Sequence, residues 1–302
     1  MTDDANFQFG TNAKIIEDSI SPDGARLTTF EVVMHRFVLA EFNTHRVFSR
    51  NSASSRAIPF HKQAARVAEH PAIPVSFPKE QRGMSGGDEL NPIEHSGAVQ
   101  EWLKARNSAL NHAKQLAAYG VHKSVVNRIL EPFMWHTVIA TATDWDGFFE
   151  QRCHKDAQPE IRAVAEKMEY AYNDSEPTFV EFGQWHMPYI HGEDYDAAED
   201  LCYGISGEEW FERVTTILKK VSAARCARVS YLTHDGVRSI EKDLELYSRL
   251  VEREPGSTSP VHWSPLEHVA TPAHWPDAAA GDVQGNFTCW HQFRHTQDGY
   301  NR

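Results

Sequence analysis

The strongest constraint on the fold is a helical repeat of apolar residues in the middle of the chain. Between Ala98 and Tyr119, apolar side chains recur every three to four residues, and Gly120 follows as a suitable C-cap. The face consists of Trp102, Leu103, Leu110, Ala113, Leu116 and Ala117. The pattern predicts a long helix with one buried face.

Helical patterns dominate the rest of the chain. They predict helices at 158–172, where Pro159 suits the first turn, near 207–225 and at 239–252. A β-branched run at 27–34 predicts a strand, and 36–40 predicts the entry to a helix. The Pro- and Gly-rich stretch 73–97 predicts a long surface loop. The stretch 173–200 has neither the helical nor the strand periodicity of apolar residues, so we expect an ordered connection there. Many helices with few strands favour an α+β fold over an alternating, doubly wound sheet.

Composition limits the function classes. The 302 residues, 41% of them hydrophobic, can form one large domain or two small ones, and the net charge of −12 disfavours binding to nucleic acid. The four cysteines form no Cys-x-x-Cys pair, which argues against a disulfide framework or a zinc ribbon and suits a reducing cytoplasm. No apolar run reaches 18 residues, and the first ten residues are polar and acidic. We therefore expect a cytoplasmic protein that does not span a membrane.

A local basic island interrupts the acidic chain. Residues 44–56 contain three arginines and four serines. Guanidinium groups, hydroxyls and backbone amides together suit phosphate oxygens, so the stretch predicts an anion site. A solvated turn at the start of a helix is the alternative.

The basic island resembles the signature of the flavin-dependent thymidylate synthase (ThyX) family, Arg-His-Arg-x-x-Ser-x-Asn-x-x-Ser-x-Arg. Only Thr44 departs from it, where the family has its first arginine. The resemblance implies an α+β, ThyX-like fold, helix-rich with a small, mostly antiparallel sheet. It also implies that FAD contacts His45, Arg46, Ser49 and Asn51. For the nucleotide it implies contacts from Glu41, Ser52, Ser54, Ser55 and Arg56.

A second stretch, 128–162, resembles the later half of the family pattern. Arg128 matches an arginine that contacts nucleotide, and Arg152 matches one that favours the N3-ionised pyrimidine and so makes C5 nucleophilic. The resemblance therefore implies catalytic roles for Arg152 and Ser54. The family has an Asn-Ala-Arg element that contacts flavin, and in this sequence Thr141 and Thr143 stand at its first and third positions. An ion pair of Arg152 with Glu150 or Asp156 is the structural alternative.

A third stretch is out of the family's order. Residues 226–231 and 262–268 resemble elements that precede the signature in the family but follow it here, and 290–295 echoes the approach to the signature. We interpret this order as a partial internal repeat, with one region at 1–205 and a second at 206–302. The resemblance implies that His262, Ser264 and Glu267 meet flavin or folate. A composite site within or between chains, and a homo-oligomer, are expected.

The implied reaction is transfer of a one-carbon unit from methylenetetrahydrofolate to C5 of dUMP, with FAD as cofactor and NADPH as reductant. Alternatives are methylation or hydroxymethylation of dCMP, and a non-catalytic nucleotide-binding relative. A cysteine route is less favoured, although Arg152 and His154 beside Cys153 could lower its pKa. Histidine and cysteine residues such as His291 and Cys289 lack the spacing of a closed zinc site, so no metal is expected.

Overall fold

The computed structural model describes residues 9–229, 239–252, 261–274 and 286–297. Its main sheet has five strands in the order β3-β4-β2-β1-β5. All neighbouring strands are antiparallel except β1 and β5. The strands are β1 (Asn12–Ile20), β2 (Arg26–His35), β3 (Ser49–Ser52), β4 (Trp135–Ala142) and β5 (Thr178–Phe179). A separate antiparallel pair joins β6 (Ala270–Pro272) to β7 (Trp290–Gln292). The expected small, mostly antiparallel sheet is confirmed.

Helices account for most of the remaining described structure. They are α1 (Leu39–Phe42), α2 (Phe60–Glu69), α3 (Pro92–Ala118), α4 (Lys123–Val126), α5 (Asp146–Arg152), α6 (Pro159–Asp174), α7 (Gly192–Asp200), α8 (Gly207–Arg228) and α9 (Ile240–Val251). Short 3₁₀ helices occupy Arg36–Val38, Asn127–Phe133, Ser264–Glu267 and Phe293–Thr296. The chain is therefore helix-rich and α+β, and the predicted helices at 98–119, 158–172, 207–225 and 239–252 are confirmed.

Two sequence predictions need correction. Helix α3 begins at Pro92, inside the predicted loop, because the Asn91 side chain accepts hydrogen bonds from the amides of Ile93 and Glu94 and so caps the helix. The connection 173–200 contains α7, whose short acidic sequence carries no apolar repeat. Its first turn is held instead by a reciprocal capping interaction between His191 and Asp194.

Three main clusters of buried side chains form the core. Strands β2 and β4 pack their inner residues against α5 and α6, while α2 and α3 pack against the 3₁₀ helix Asn127–Phe133. The third cluster joins α7, α8 and α9 to the turns at 264–267 and 293–296. It also includes Met187 and Trp185, which precede residue 206. The domain boundary between 205 and 206 stays a prediction.

A buried ion-pair network holds the third cluster together. Both terminal nitrogens of Arg225 donate to the Asp194 carboxylate at 2.6 Å, and its Nε donates to Asp243 at 2.8 Å. Arg228 donates to the same Asp243 carboxylate at 2.7 Å. Arg225, Asp194 and Asp243 are each at most 4% exposed. The network therefore links α7, α8 and α9 with its charges paired.

Within the described ranges, no helix combines the length and the apolar character that a membrane crossing requires.

Candidate nucleotide and flavin site

The basic island is folded around strand β3. His45 and Arg46 lie in the turn that precedes the strand, and Ser54 and Arg56 lie in the loop that follows it. Buried Phe48 packs this turn onto the hydrophobic core. Because β3 has four residues at ~3.3 Å per residue, on the order of 13 Å separates the turn from the loop. The site thus has two ends within one chain.

Arg152 lies at the end of α5 and reaches the turn before β3. Its Nε donates to His45 Nε2 at 2.9 Å, and its Nη2 donates to Thr44 Oγ1 at 2.9 Å and to the Glu41 carbonyl at 3.3 Å. These acceptors are neutral, and no carboxylate of the described residues lies within ion-pair distance of the guanidinium. The alternative pairing with Glu150 or Asp156 is therefore wrong. Arg152 keeps an uncompensated charge, and its Nη1 group has no hydrogen-bond acceptor in the described part of the chain.

His45 is held as a neutral acceptor. Burial, followed by the positive charges of Arg152 and Arg50, lowers its pKa. Because Nε2 accepts the bond from Arg152, the proton of the neutral ring lies on Nδ1. The ring packs edge-on against Phe148, with 4.9 Å between the ring centroids. His45 thus fixes the orientation of Arg152 without adding a charge.

Thr44, which departs from the family signature, has a defined role in this turn. Its hydroxyl donates to the Glu41 carbonyl at 2.6 Å and accepts the bond from Arg152. The Glu41 side chain is half-buried, and its nucleotide contact stays a prediction.

The predicted cofactor residues divide into two groups. Arg46 is exposed and has no hydrogen bond or ion pair with its side chain among the described residues. Ser49 and Asn51 are buried: Ser49 Oγ accepts from Gln292 Nε2 at 3.0 Å, and Asn51 Nδ2 donates to the Cys226 carbonyl at 3.3 Å. Only His45 and Arg46 of this set remain available at the surface, and flavin contacts of all four stay predictions.

Thr141 and Thr143 also contact the C-terminal part of the chain. The completely buried Thr141 hydroxyl shares hydrogen bonds of 2.7 Å with Thr29 Oγ1 and with His268 Nδ1. Burial lowers the pKa of His268 to about 3, so its ring is neutral. Thr143 Oγ1 accepts from the amide of Thr288 at 3.0 Å. A flavin contact of either threonine would have to replace these bonds, and it stays a prediction.

The other end of β3 gathers the predicted nucleotide residues. Arg56 is exposed without an ion pair among the described residues, and Ser54 Oγ accepts from the Arg56 amide at 3.3 Å. Ser55 and Arg128 both donate to the Glu131 carboxylate, at 3.0 and 2.7 Å. Ser52 is half-buried at the end of the strand.

The C-terminal Ser-Pro-Leu-Glu-His element lies against β3 of the same chain. Gln292 Nε2 donates to Ser49 Oγ at 3.0 Å and to the Glu267 carbonyl at 3.2 Å, which joins the two elements. The Glu267 carboxylate accepts from Arg294 at 2.5 Å. His262 is exposed and Ser264 is half-buried; their roles stay predictions.

Sequence reasoning missed Arg50 and Gln292. Arg50 Nη1 donates to the carbonyls of Asn43 at 3.0 Å and His45 at 3.3 Å, so it holds the turn that carries His45 and Arg46. Burial lowers the Arg50 pKa, and the nearby Glu267 carboxylate opposes that shift. Arg50 fills a variable position of the signature, so its positive charge was the only signal in the sequence. Gln292 is distant in sequence from β3, so its only signal was its place in the stretch 290–295 that resembles the approach to the signature.

Cys153 does not have the environment of an activated thiol. Burial and a hydrogen bond to Glu169 raise its pKa to about 12, so the suggestion that Arg152 and His154 lower it is wrong. Among the described residues, no group of three or more histidine, cysteine, aspartate or glutamate side chains could hold a metal ion.

Comparison with protein families now identifies this arrangement. The family model for thymidylate synthase complementing proteins (Thy1) matches residues 25–178, just over half of the chain. The chain belongs to this family. The match includes both ends of β3, Arg128 and Arg152, whereas the Ser264–Glu267 turn lies beyond it.

Two solved structures show a weaker likeness to this thymidylate synthase complementing family member. Both are of the UMP/dUMP methylase PolB from Streptomyces cacaoi, one bound with 5-Br dUMP and the other with 5-Br UMP. Their sequence identities are 17% and 18%, each with a TM-score of 0.44, and the likeness covers 55% of this chain and 90% and 89% of theirs. Comparison with curated proteins gave no match.

Proposed function

We propose that this chain is a flavin-dependent methyltransferase of the thymidylate synthase type. Its reaction would convert dUMP, methylenetetrahydrofolate and NADPH with a proton into dTMP, tetrahydrofolate and NADP⁺. The transferred methylene group, which is at the oxidation level of formaldehyde, is thus reduced to a methyl group by one hydride. Family membership supports the reaction type, and the contacts of Arg152 support the chemistry of this particular chain.

The uncompensated charge of Arg152 is the observation that carries the proposal. A guanidinium that is fixed by neutral acceptors keeps its full attraction for an anion, and the free Nη1 group can donate two further hydrogen bonds. Placed beside a uracil, such a group stabilises negative charge on N3 and its neighbouring carbonyl oxygen. Electron density at C5 then rises, which makes that carbon a better nucleophile.

Three neighbours keep Arg152 in one orientation. His45 accepts the Nε hydrogen bond, and Thr44 and the Glu41 carbonyl accept from Nη2. Orientation of this kind lowers the entropy cost of reaching the reactive geometry. Because His45 is neutral, it does not compete with an anionic substrate for the positive charge of Arg152, whereas a carboxylate would.

The turn that carries Arg46 fits a flavin dinucleotide. Arg46 is an exposed cation without an ion pair among the described residues, which suits the diphosphate of FAD, and the neutral ring of His45 can lie against an aromatic ring system. When bound, a reduced flavin supplies the carrier chemistry and the hydride. This chain would contribute Arg46 and His45 to hold it and Arg152 to polarise the pyrimidine.

Product analysis tests this function directly. The full-length protein is incubated with FAD, NADPH, methylenetetrahydrofolate and either dUMP or dCMP, and the products are identified by mass spectrometry. We expect dTMP from dUMP and a yellow protein whose flavin absorbance is lost with NADPH. A hydroxymethyl product would contradict the proposed reaction, and a product from dCMP would contradict the proposed substrate. A folded protein that binds nucleotide but forms no product would favour the non-catalytic alternative.

A further inference from the structure

The carboxylate of Glu131 lies at the basic end of the site. Oε1 of Glu131 accepts hydrogen bonds from Arg128 Nη1 at 2.7 Å, from Ser55 Oγ at 3.0 Å and from Arg36 Nη2 at 3.4 Å. The Glu131 side chain is 23% exposed, so it borders solvent on one side. It therefore ties the 3₁₀ helix Asn127–Phe133 to the loop after β3 and contributes the negative charge among these arginines.

We propose that Glu131 is a specificity residue that makes this site select nucleoside monophosphates over diphosphates and triphosphates. The inference rests on the proposed function and on the nucleotide contacts that the family resemblance implies for Ser54, Arg56 and Arg128, whose hydroxyl and guanidinium groups suit a phosphate.

The Glu131 carboxylate lies among cations. Arg36 and Arg128 donate to it, Arg56 follows its third donor, Ser55, in the chain, and Arg66 lines a cavity together with Arg36 and Ser55. His136 accepts from Arg36 at 3.1 Å, and burial lowers its pKa to about 3, so it adds no charge. A phosphate monoester carries a charge of about −1.5 to −2 at neutral pH. Each additional phosphate brings further negative charge toward the carboxylate of Glu131.

The contacts of Glu131 also limit the donors that are free for phosphate. Glu131 already uses the Ser55 hydroxyl and one N–H of Arg128, whereas the guanidinium of Arg56 has no partner in the described part of the chain. The cavity behind Ser55 and Arg36 has a volume of about 10 Å³, which is room for roughly one water molecule. A phosphate group is too large for that cavity, so a longer phosphate chain remains outside it, in the solvent to which the Glu131 side chain is partly exposed.

Binding measurements with the full-length protein test this assignment. Dissociation constants for dUMP, dUDP and dUTP are measured by calorimetry in magnesium-free buffer of fixed low ionic strength, for wild type and Glu131→Gln. We expect wild type to favour dUMP. The neutral isostere should shift the ratio of dUTP to dUMP affinity by about tenfold toward dUTP, because repulsion between exposed charges at close range is of this order at low salt.

Two further variants separate charge from position. Glu131→Asp keeps the carboxylate and should retain the preference for dUMP, even if its shorter side chain weakens both affinities. Glu101→Gln is the matched control, because Glu101 pairs with Lys104 at 2.7 Å with the same three-residue spacing but on an exposed part of α3. It should leave both constants unchanged.

The outcomes are distinguishable. An unchanged affinity ratio in folded Glu131→Gln overturns the role of Glu131 but not the proposed function. Wild type that binds dUTP as tightly as dUMP overturns the inference without any variant. A folded wild type that binds none of the three nucleotides contradicts the proposed function, and the inference with it.

Discussion

Arg152 and Arg225 show two opposite uses of the same side chain. Arg225 is buried among α7, α8 and α9, and two carboxylates pair with its charge. Arg152 is only partly buried, is held by neutral acceptors, and has no carboxylate partner among the described residues. A buried charge without a counter-ion is costly, so the Arg225 network holds the fold together. A fixed charge left uncompensated at a surface suits an anionic ligand.

Removal of the paired arginine should produce the largest effect on stability. Arg225→Ala leaves Asp194 and Asp243 buried with fewer donors, which should lower the free energy of unfolding by about 3–5 kcal/mol. Urea denaturation measures the change. Arg213→Ala, on the exposed face of the same helix, should stay within about 0.5 kcal/mol of wild type. Equal stability of the two variants would contradict the structural role of the network.

Removal of the unpaired arginine should instead affect catalysis. Arg152→Gln keeps hydrogen-bonding capacity but loses the charge, and kcat/KM for dUMP should fall by about 10²–10³-fold, as for other donors that stabilise developing negative charge. The melting temperature should change little. Arg162→Gln serves as a control, because Arg162 forms an exposed ion pair with Glu166 on α6. Unfolding of Arg152→Gln would show that the contrast with Arg225 does not hold.

Replacement of Arg56 in the basic loop should weaken the binding of nucleotide more than the binding of FAD. Arg56→Ala removes an exposed cation at the end of β3 that is distant from Arg46, so nucleotide binding should weaken by about 1.5–3 kcal/mol. FAD binding, measured by retained absorbance after gel filtration, should be preserved. Equal losses for both ligands would show that the two ends of β3 do not have separate roles.

The smallest effect on turnover is expected from replacement of Cys153, the residue next to Arg152. Cys153 follows it in sequence but faces Glu169, and its pKa of about 12 keeps it a thiol at neutral pH. Cys153→Ala should therefore change turnover by no more than about threefold, since a thiol without a thiolate fraction is a poor nucleophile. Steady-state kinetics measure this. Complete loss of activity in a folded variant would restore the cysteine route.

Local sequence patterns predicted much of the fold. Helices α3, α6, α8 and α9 follow from apolar repeats, because one buried face at helical spacing is a property of a single segment. Helix α7 was missed because its first turn depends on a capping contact and its burial depends on neighbouring helices. The basic island was predicted as an anion site from residue type, and Arg128 as a nucleotide contact from its match to the family pattern; both stay predictions.

Contacts between distant segments could not be predicted in this way. Whether Arg152 pairs with Glu150 or with His45 depends on where the end of α5 meets the turn before β3, more than 100 residues away in sequence. The carboxylate of Glu131 among three donors, and Gln292 between Ser49 and Glu267, likewise arise from packing of separate elements. The sequence supplied the charges and the helices. Tertiary packing set which charges are neutralised, because electrostatic attraction depends on distance in space and on burial.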